Sequence, residues 1–358
     1  MESIFSTKPL VREVNPEQRE GTSEGAKAQI SQGVMLMPHP LSSTTSQVLE
    51  ILNDGAVHTG SDMADALSIS RTAVWKIIQR LKKYNVDIRT QHQGYQLPAP
   101  LILLDKKRIE ELMKYPHIAL EIFESISSTS DYLKNKGPLK KIHCCLAEYQ
   151  SKGKGRLGRT WVSPFGRNIY CSFSYVFNKD MSEMGGLSLV VGILTAQALE
   201  RLSPILKPSL KWPNDIYINN QKMGGILIEL TAEAHGNCTA IISIGLDINM
   251  KGVNLNEVNQ PWTSLEHILN EKLDRNIVVA HLLQSILKGM ELFHEKGMAA
   301  FVPEWKRYDF LENQKISINT GKEIQSGIAR GISAHGNLLL ENSAGNLELV
   351  SYGDTMLL

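Results

Sequence analysis

The stretch Gly153-Lys154-Gly155-Arg156-Leu157-Gly158-Arg159-Thr160-Trp161 is followed by a strand-forming run and not by a helix, and this order restricts the fold more than any other feature of the chain. Its glycines let backbone N–H groups approach a ligand closely and reach positive φ, while Lys154, Arg156 and Arg159 supply charge-assisted donors. Together they suit a phosphate-bearing ligand. The glycines spell G-x-G-x-x-G, and Gly153 to Thr160 reads as a P-loop with Arg159 where lysine is required. Both phosphate motifs need a strand before the loop and a helix directly after it, whose N-terminus holds the phosphate. Here Trp161 leads through Phe165 and Gly166 into Asn168 to Phe177, a β-branched and aromatic run. The prediction is a flexible basic loop between two strands. On these residues alone it is either a cover over an anionic ligand or a surface loop kept soluble by its charges.

The chain has 358 residues, 42% of them hydrophobic, which predicts a soluble globular protein of two or three domains. With 38 basic and 37 acidic residues, net charge points to no partner, so any nucleic-acid signal must be local. Cys144, Cys145, Cys171 and Cys238 show no C-x-x-C spacing and no matching histidines. That disfavours a zinc site and fits reduced thiols in a cytoplasmic protein. The apolar stretch from Leu187 to Leu199 is short for a membrane span, and no signal peptide is visible. Residues 1–40 lack period and read as a disordered lead, with an internal start possible at Met35 or Met37.

Between Thr45 and Leu97 the pattern is three helices and two short strands. Val48, Ile51 and Leu52 mark the first helix, stopped by Asn53-Asp54-Gly55. Ser61 is the expected cap of a second helix, Asp62 to Leu67. A third runs from Arg71 to Tyr84 with Val74, Ile77, Ile78 and Leu81 on one face; Arg71, Lys76, Arg80, Lys82 and Lys83 lie on the other, with no acid among them. A hairpin wing follows, Ile88 to Leu97. This order describes a winged helix-turn-helix with its third helix in the DNA major groove, and Ser70, Arg71, Thr72, Lys76, Arg80 and Arg89 are the expected DNA contacts. A three-helix interaction module with a solvated basic face fits the same pattern. Pro98-Ala99-Pro100 reads as a stiff link.

Past His117, Ile118, Leu120 and Ile122 alternate as a strand that enters Ser125-Ile126-Ser127-Ser128-Thr129-Ser130 before a short helix, a junction where free N–H groups and hydroxyls can bind a polar head group or simply cap. A strand from His143 to Tyr149 delivers Gln150 into the basic loop. The helix from Gly186 to Leu202 reads as core support. In Lys211-Trp212-Pro213-Asn214-Asp215, the proline breaks a strand and leaves Asn214 and Asp215 on a sharp turn; the Asn219-Asn220 hairpin returns Lys222 to the same end. Asp215 is then a group that orients a metal or an amine, or an Asx-turn residue. Ile241 to Gly245 is a buried strand ending at Asp247 and Asn249. Two amphipathic helices follow Ile277, and the glycine-punctuated strands of Lys315 to Tyr352 suggest a small five-stranded barrel.

From about Ser43 to Tyr352, the winged helix, the Gly-Lys-Gly-Arg-x-Gly-Arg-x-Trp loop, Lys-Trp-Pro-Asn-Asp and Lys-x-Gly-Gly-Ile-Leu-x-Glu follow the order found in the bifunctional biotin protein ligase and biotin operon repressor family of bacteria, which the chain resembles. The resemblance implies an α+β multidomain fold: a disordered extension over 1–40, a winged helix-turn-helix over 41–100, an α/β biotin/lipoyl ligase-like catalytic domain over 101–310 and an SH3-like small β-barrel over 311–358. It implies biotin, ATP and Mg2+, formation of biotinyl-5′-AMP, and transfer of biotin to a lysine of the biotin carboxyl carrier protein of acetyl-CoA carboxylase. It further implies a homodimer when adenylate is bound, repression at biotin operon DNA, and no membrane partner. By the same resemblance Ser128, Thr129, Ser130 and Gln150 hold biotin's polar head; Lys154, Gly155 and Arg156 wrap the carboxylate and adenylate; Lys222 sits at the carboxylate and α-phosphate; Asp215 orients the acceptor amine; and Asn249 serves the ATP or metal side. Arg156, Lys222 and Asp215 are thus the expected catalytic residues.

Four positions depart from the family pattern: Ser130 stands for asparagine, Lys154 and Leu157 for arginines, and Asp247 for glycine. Lys154 keeps the charge without the planar fork, Leu157 removes a cation, and Asp247 alters the pocket floor. These departures support one alternative, a ligand-sensing repressor with a decayed ligase site. A lipoyl or octanoyl protein ligase shares the central fold; the Ser-Ser-Thr-Ser stretch and the winged helix weigh against it. A pure binding module leaves the lysine, aspartate and glycine loop unexplained.

Overall fold

The computed structural model describes residues 38–40, 42–113, 118–137, 141–232, 237–253 and 260–358. The expected disordered lead, as far as residue 37, and the candidate starts Met35 and Met37 lie outside the described residues. The first described element, β1 (His39–Pro40), pairs antiparallel with β4 (Ile118–Ser125), so the chain touches the central sheet before it builds the N-terminal module.

That module comprises α1 (Ser43–Leu52), α2 (Gly60–Leu67), α3 (Arg71–Lys83) and the wing strands β2 (Arg89–Gln91) and β3 (Gly94–Gln96). Ser42, Thr59 and Ser70 each accept a hydrogen bond from a first-turn backbone N–H, satisfying donors that a helix start leaves free. Thr59, not the expected Ser61, caps α2, because the helix already begins at Gly60. Val48, Leu49, Leu52, Val74, Ile78 and Leu81 form the core.

Arg80 departs from its expected place on the DNA face. Its guanidinium turns inward, donating from Nε to Glu124 Oε1 at 2.5 Å and from Nη2 to Thr45 Oγ1 at 2.8 Å, while Thr45 itself donates to Glu124 Oε2 at 2.9 Å. Glu124, on β4, is 0% exposed, and a buried carboxylate needs such partners. Nearby, Tyr84 donates to Ser125 Oγ at 2.8 Å and stacks on Tyr149 and Phe165, with centroids at 4.9 and 5.5 Å. The Pro98-Ala99-Pro100 link is tied down at its end: Asn53 makes two bonds to the Leu101 backbone, and Lys272 donates to the Pro100 carbonyl. Replacing Arg80 by alanine is therefore expected to destabilise the protein by about 2–4 kcal/mol, since it strands the Glu124 charge. An unchanged urea midpoint for Arg80→Ala would show that the junction does not contribute to stability.

The central sheet has eight strands in the order β1-β4-β5-β6-β10-β9-β8-β7, with β5 (Ile142–Ala147), β6 (Ile169–Phe177), β7 (Pro208–Lys211), β8 (Asp215–Ile218), β9 (Gln221–Ala232) and β10 (Cys238–Leu246). Only β4 and β5 run parallel, joined by α5 (Thr129–Asn135). Strand alternation separates two faces. Cys171, Phe173, Ile216, Ile226, Ile242 and Ile244 join the main core, which includes α6 (Leu187–Leu202) and α8 (Arg275–Lys296). Tyr170, Asp215, Tyr217, Gly225, Ser243 and Gly245, at the intervening positions, line a cavity on the opposite face. Met181–Leu202 is long and apolar enough by composition to cross a bilayer, yet most of α6 within it is buried, the core-support role expected of Gly186 to Leu202. Two short helices went unforeseen, α4 (Lys106–Leu112) and α7 (Leu265–Leu269).

After α9 (Val302–Tyr308), the C-terminal strands β11 (Lys315–Asn319), β12 (Ile324–Ile332), β13 (Leu338–Glu341), β14 (Leu347–Val350) and β15 (Asp354–Leu357) form an antiparallel sheet ordered β14-β13-β12-β11-β15. The fifth strand lies beyond Tyr352, where the glycine-punctuated run was expected to end, and within the 311–358 domain. Ile316, Ile318 and Leu340 continue the main core, and Trp212 Nε1 donates to the Gly336 carbonyl at 3.1 Å. The C-terminal sheet thereby forms one wall of the cavity, through Asp354, Thr355 and Met356.

Candidate functional site

The cavity has a volume of about 1170 Å³. At one end Ser128 caps α5 and bonds to Ser130 at 3.0 Å. Gln150 Oε1 accepts from Thr129 N at 2.9 Å and Thr129 Oγ1 at 3.1 Å, and Gln150 Nε2 donates to Ser163 Oγ at 3.2 Å. The hydroxyl chain continues into the sheet, Thr129 to Ser172 at 2.7 Å and Ser172 to Ser243 at 2.8 Å. Ser128, Thr129, Ser130 and Ser172 are all buried, so this end offers a dry, prearranged set of donors and acceptors. Ser172 and Ser243 were missed in the sequence; single hydroxyls at alternate positions of apolar strands were the available signal.

The basic loop lies over this end, between two strands as expected. An isolated bridge joins Lys154 to Thr160, and Arg156–Gly158 makes one 3-10 turn in which Leu157 takes φ 54° and is 75% exposed. Lys154 pairs with Asp131 of α5. Arg156 donates to Asn214 Oδ1 at 3.1 Å, to Asp354 Oδ1 at 3.4 Å and to the Gly353 carbonyl at 3.3 Å, and Arg159 also pairs with Asp354. Trp161 follows, and its seat requires glycine: a Cβ on Gly245 would come within 2.5 Å of the indole, and one on Gly225 within 3.3 Å. Trp161 Nε1 is buried with no partner among the described residues.

Opposite the hydroxyl end, the Lys211-Trp212-Pro213-Asn214-Asp215 turn and the Asn219-Asn220 hairpin bring Asp215 and Lys222 together as predicted. Asn219 and Asn220 both adopt positive φ, as a tight hairpin turn requires. Lys222 Nζ lies 2.7 Å from Asp215 Oδ1 and 5.9 Å from the Trp161 ring centroid, and the two side chains are only 13% and 20% exposed. Asn214 donates to the Ile226 carbonyl at 2.8 Å, which fixes the turn. Burial holds the Lys211 ammonium below its ordinary range, with Asp215 pulling the other way.

Asn249 does not join them. Its amide donates to the Leu273 carbonyl at 2.9 Å and accepts from Leu273 N at 3.0 Å, and it is absent from the cavity wall because it ties down the segment leading into α8. Asp247, two residues earlier, does reach the cavity and accepts from Asn168 Nδ2 at 2.8 Å. Burial pushes its carboxyl up to about 8, against the pull of the Lys222 charge. From about pH 4, where an unfolded aspartate ionises, to about pH 8, the folded protein thus holds a proton that the unfolded chain has lost. Stability conferred by this group is complete below that window and falls as pH rises through it. Asp247→Asn should raise the melting temperature by an amount that grows from pH 5 to pH 8, worth on the order of a few kcal/mol at the upper end; a gain that does not vary with pH would show that Asp247 does not titrate in this window.

Of the expected DNA contacts, Ser70 is the α3 cap, and Arg71, Thr72, Lys76 and Arg89 are exposed.

Residues 122–249 match the biotin/lipoate A/B protein ligase family, residues 44–96 an HTH domain, and residues 313–357 the biotin protein ligase C terminal domain. The chain is 37% identical over 297 residues to the bifunctional ligase/repressor BirA of Escherichia coli strain K12, covering 82% of this chain and 91% of that one. The corresponding protein of Salmonella typhimurium is 36% identical over 296 residues, with the same coverage. Among solved structures, the biotin protein ligase of Aquifex aeolicus in complex with biotin and ATP superimposes with a TM-score of 0.58 at 27% identity, covering 67% of this chain and 99% of that one.

Proposed function

The chain belongs to the family of bifunctional biotin protein ligase/repressors, and from that premise we propose how its own residues perform the two activities. The reading is an ATP-dependent biotin protein ligase: biotin's carboxylate attacks the α-phosphate of ATP, pyrophosphate leaves, and an acceptor lysine then attacks the mixed anhydride and releases AMP. The observation that carries it is the polarity of the cavity, with buried hydroxyls and Gln150 at one end, Lys222 with Asp215 at the other, and the cationic loop and Trp161 laid across.

No protein nucleophile is needed, because the substrate carboxylate is one. What the chain must supply is position, positive charge and exclusion of water. Ser128, Thr129, Ser130 and Gln150 suit the uncharged polar ring of biotin. Lys222, nearly buried, would serve the carboxylate and the α-phosphate, and Lys154, Gly155 and Arg156 would enclose the adenylate. Asp215 would orient the acceptor ammonium, whose ordinary pKa of about 10.4 makes loss of a proton necessary at neutral pH. Asn249 drops out of this set, since its amide is engaged with Leu273. Mg2+ enters as the companion of ATP, held chiefly by the nucleotide's phosphates.

The acceptor in this reading is the biotin carboxyl carrier protein, and the DNA partner is a biotin operon operator bound through α3 and the wing. A homodimer formed with adenylate is supported by β9, whose pairing with β8 ends at Gly225 and leaves the outer edge of residues 227–232 without a neighbouring strand among the described residues. Buried thiols at Cys144, Cys145 and Cys171 are consistent with a cytoplasmic location. ATP–pyrophosphate exchange should be stimulated by biotin and not by lipoate; exchange driven by lipoate would move the reading to a lipoyl ligase, and none with either acid, from protein that binds biotin, to a repressor with a decayed site.

A further inference from the structure

Helix α3 leaves one large apolar side chain in solvent. Trp75 is 52% exposed, whereas Val74, Ile77, Ile78 and Leu81 of the same helix are buried. Arg71 and Thr72, at the i−4 and i−3 positions, are exposed beside the indole on one outward face of the first two turns, and Lys76, the next residue along, is exposed at the border of that face. Two other cations of α3 are otherwise engaged. Arg80 is held by the buried Glu124, and Lys82 donates to Thr90 Oγ1 of the wing at 2.7 Å and sits 6.0 Å from the Tyr95 ring centroid. What the first two turns of α3 can offer a duplex is therefore an indole flanked by Arg71, Thr72 and Lys76, with Lys83 exposed at the far end of the helix and no acid anywhere on it.

We propose that Trp75 determines the sequence specificity of DNA binding by laying its indole against thymine methyl groups in the major groove, with Arg71 and Lys76 on the flanking phosphates. The inference rests on the DNA-binding half of the function proposed above. The chemistry favours this occupant: the thymine methyl is the apolar group that base edges present in the major groove, and an apolar side chain reads it where a cation would contact phosphate or guanine. The cations beside Trp75 complement a phosphate backbone, which a second copy of this equally cationic helix face would not.

The test uses the full-length protein with biotin and ATP and a pool of random-sequence duplexes. Wild type should enrich a thymine-containing site. On that site Trp75→Ala should lose on the order of tenfold in affinity with its salt slope unchanged, Trp75→Phe should retain most of it, and Arg71→Ala should lower the slope by about one. Replacing the contacted thymine by uracil, which removes only the methyl, should weaken wild type and leave Trp75→Ala unaffected. If uracil costs both proteins equally, or Trp75→Ala enriches the same site at the same affinity, the inference fails while DNA binding stands. A change in self-association without a change in DNA affinity would reassign Trp75 to a protein contact and overturn it. If wild type enriches no sequence and shows no salt-dependent affinity, the DNA-binding half itself falls, and the inference with it.

Discussion

Lys222→Gln is expected to lower biotin-dependent ATP–pyrophosphate exchange by about two to three orders of magnitude while leaving the protein folded. Glutamine keeps the length and a hydrogen-bond donor but removes the charge. That charge is 13% exposed, beneath the Trp161 ring and 2.7 Å from Asp215, in surroundings where an ion acts on a developing negative charge far more strongly than in water. Asp215 loses its partner in the variant but is 20% exposed, so the fold can tolerate the change. Lys222→Arg should not rescue fully, because a planar fork does not fit the place of a compact ammonium. Exchange within a few-fold of wild type in Lys222→Gln would remove the lysine from the chemistry.

The second large effect concerns retention. Arg156→Gly should release biotinyl-5′-AMP at least about tenfold faster and biotinylate bystander lysines on an unrelated protein. The Arg156 guanidinium ties the loop to three groups at once, Asn214, Asp354 and the Gly353 carbonyl, across the junction between the central and C-terminal sheets. Glycine removes every one of those bonds and loosens the backbone beside Gly155. A mixed anhydride that escapes into solution reacts with whatever amine it meets, so loss of the latch appears as loss of selectivity. The measurement is the dissociation rate of labelled adenylate together with labelling of a non-cognate protein; unchanged values for both would show that Arg156 does not close the site.

Much of the site was legible because its pieces are local. A glycine-rich loop followed by β-branched residues had to run strand to strand; Ser128 before a short helix had to meet its free N–H groups; Pro213 and the Asn219-Asn220 turn had to return Lys222 to Asp215. Each of these follows from backbone conformations and caps that a few neighbouring residues decide. The same is true of α3, whose buried stripe at helical spacing was readable without a partner in view.

Tertiary structure alone decided the rest, since it depends on which distant segments share a space. Arg80 has every local attribute of a DNA contact and is withdrawn from that face by Glu124, a carboxylate 44 positions away that burial would leave unpaired. Asn249 sits in the expected stretch, but its amide is taken up by Leu273. The hydroxyls of Ser172 and Ser243 become one polar chain only when β6 and β10 lie side by side, and Asp354 meets Arg156 across 198 positions of sequence. Local sequence determined the conformation of each element and the chemistry it carries; packing determined which charges are spent on one another and which are left for a ligand, because a buried charge must be paired wherever in the chain its partner lies.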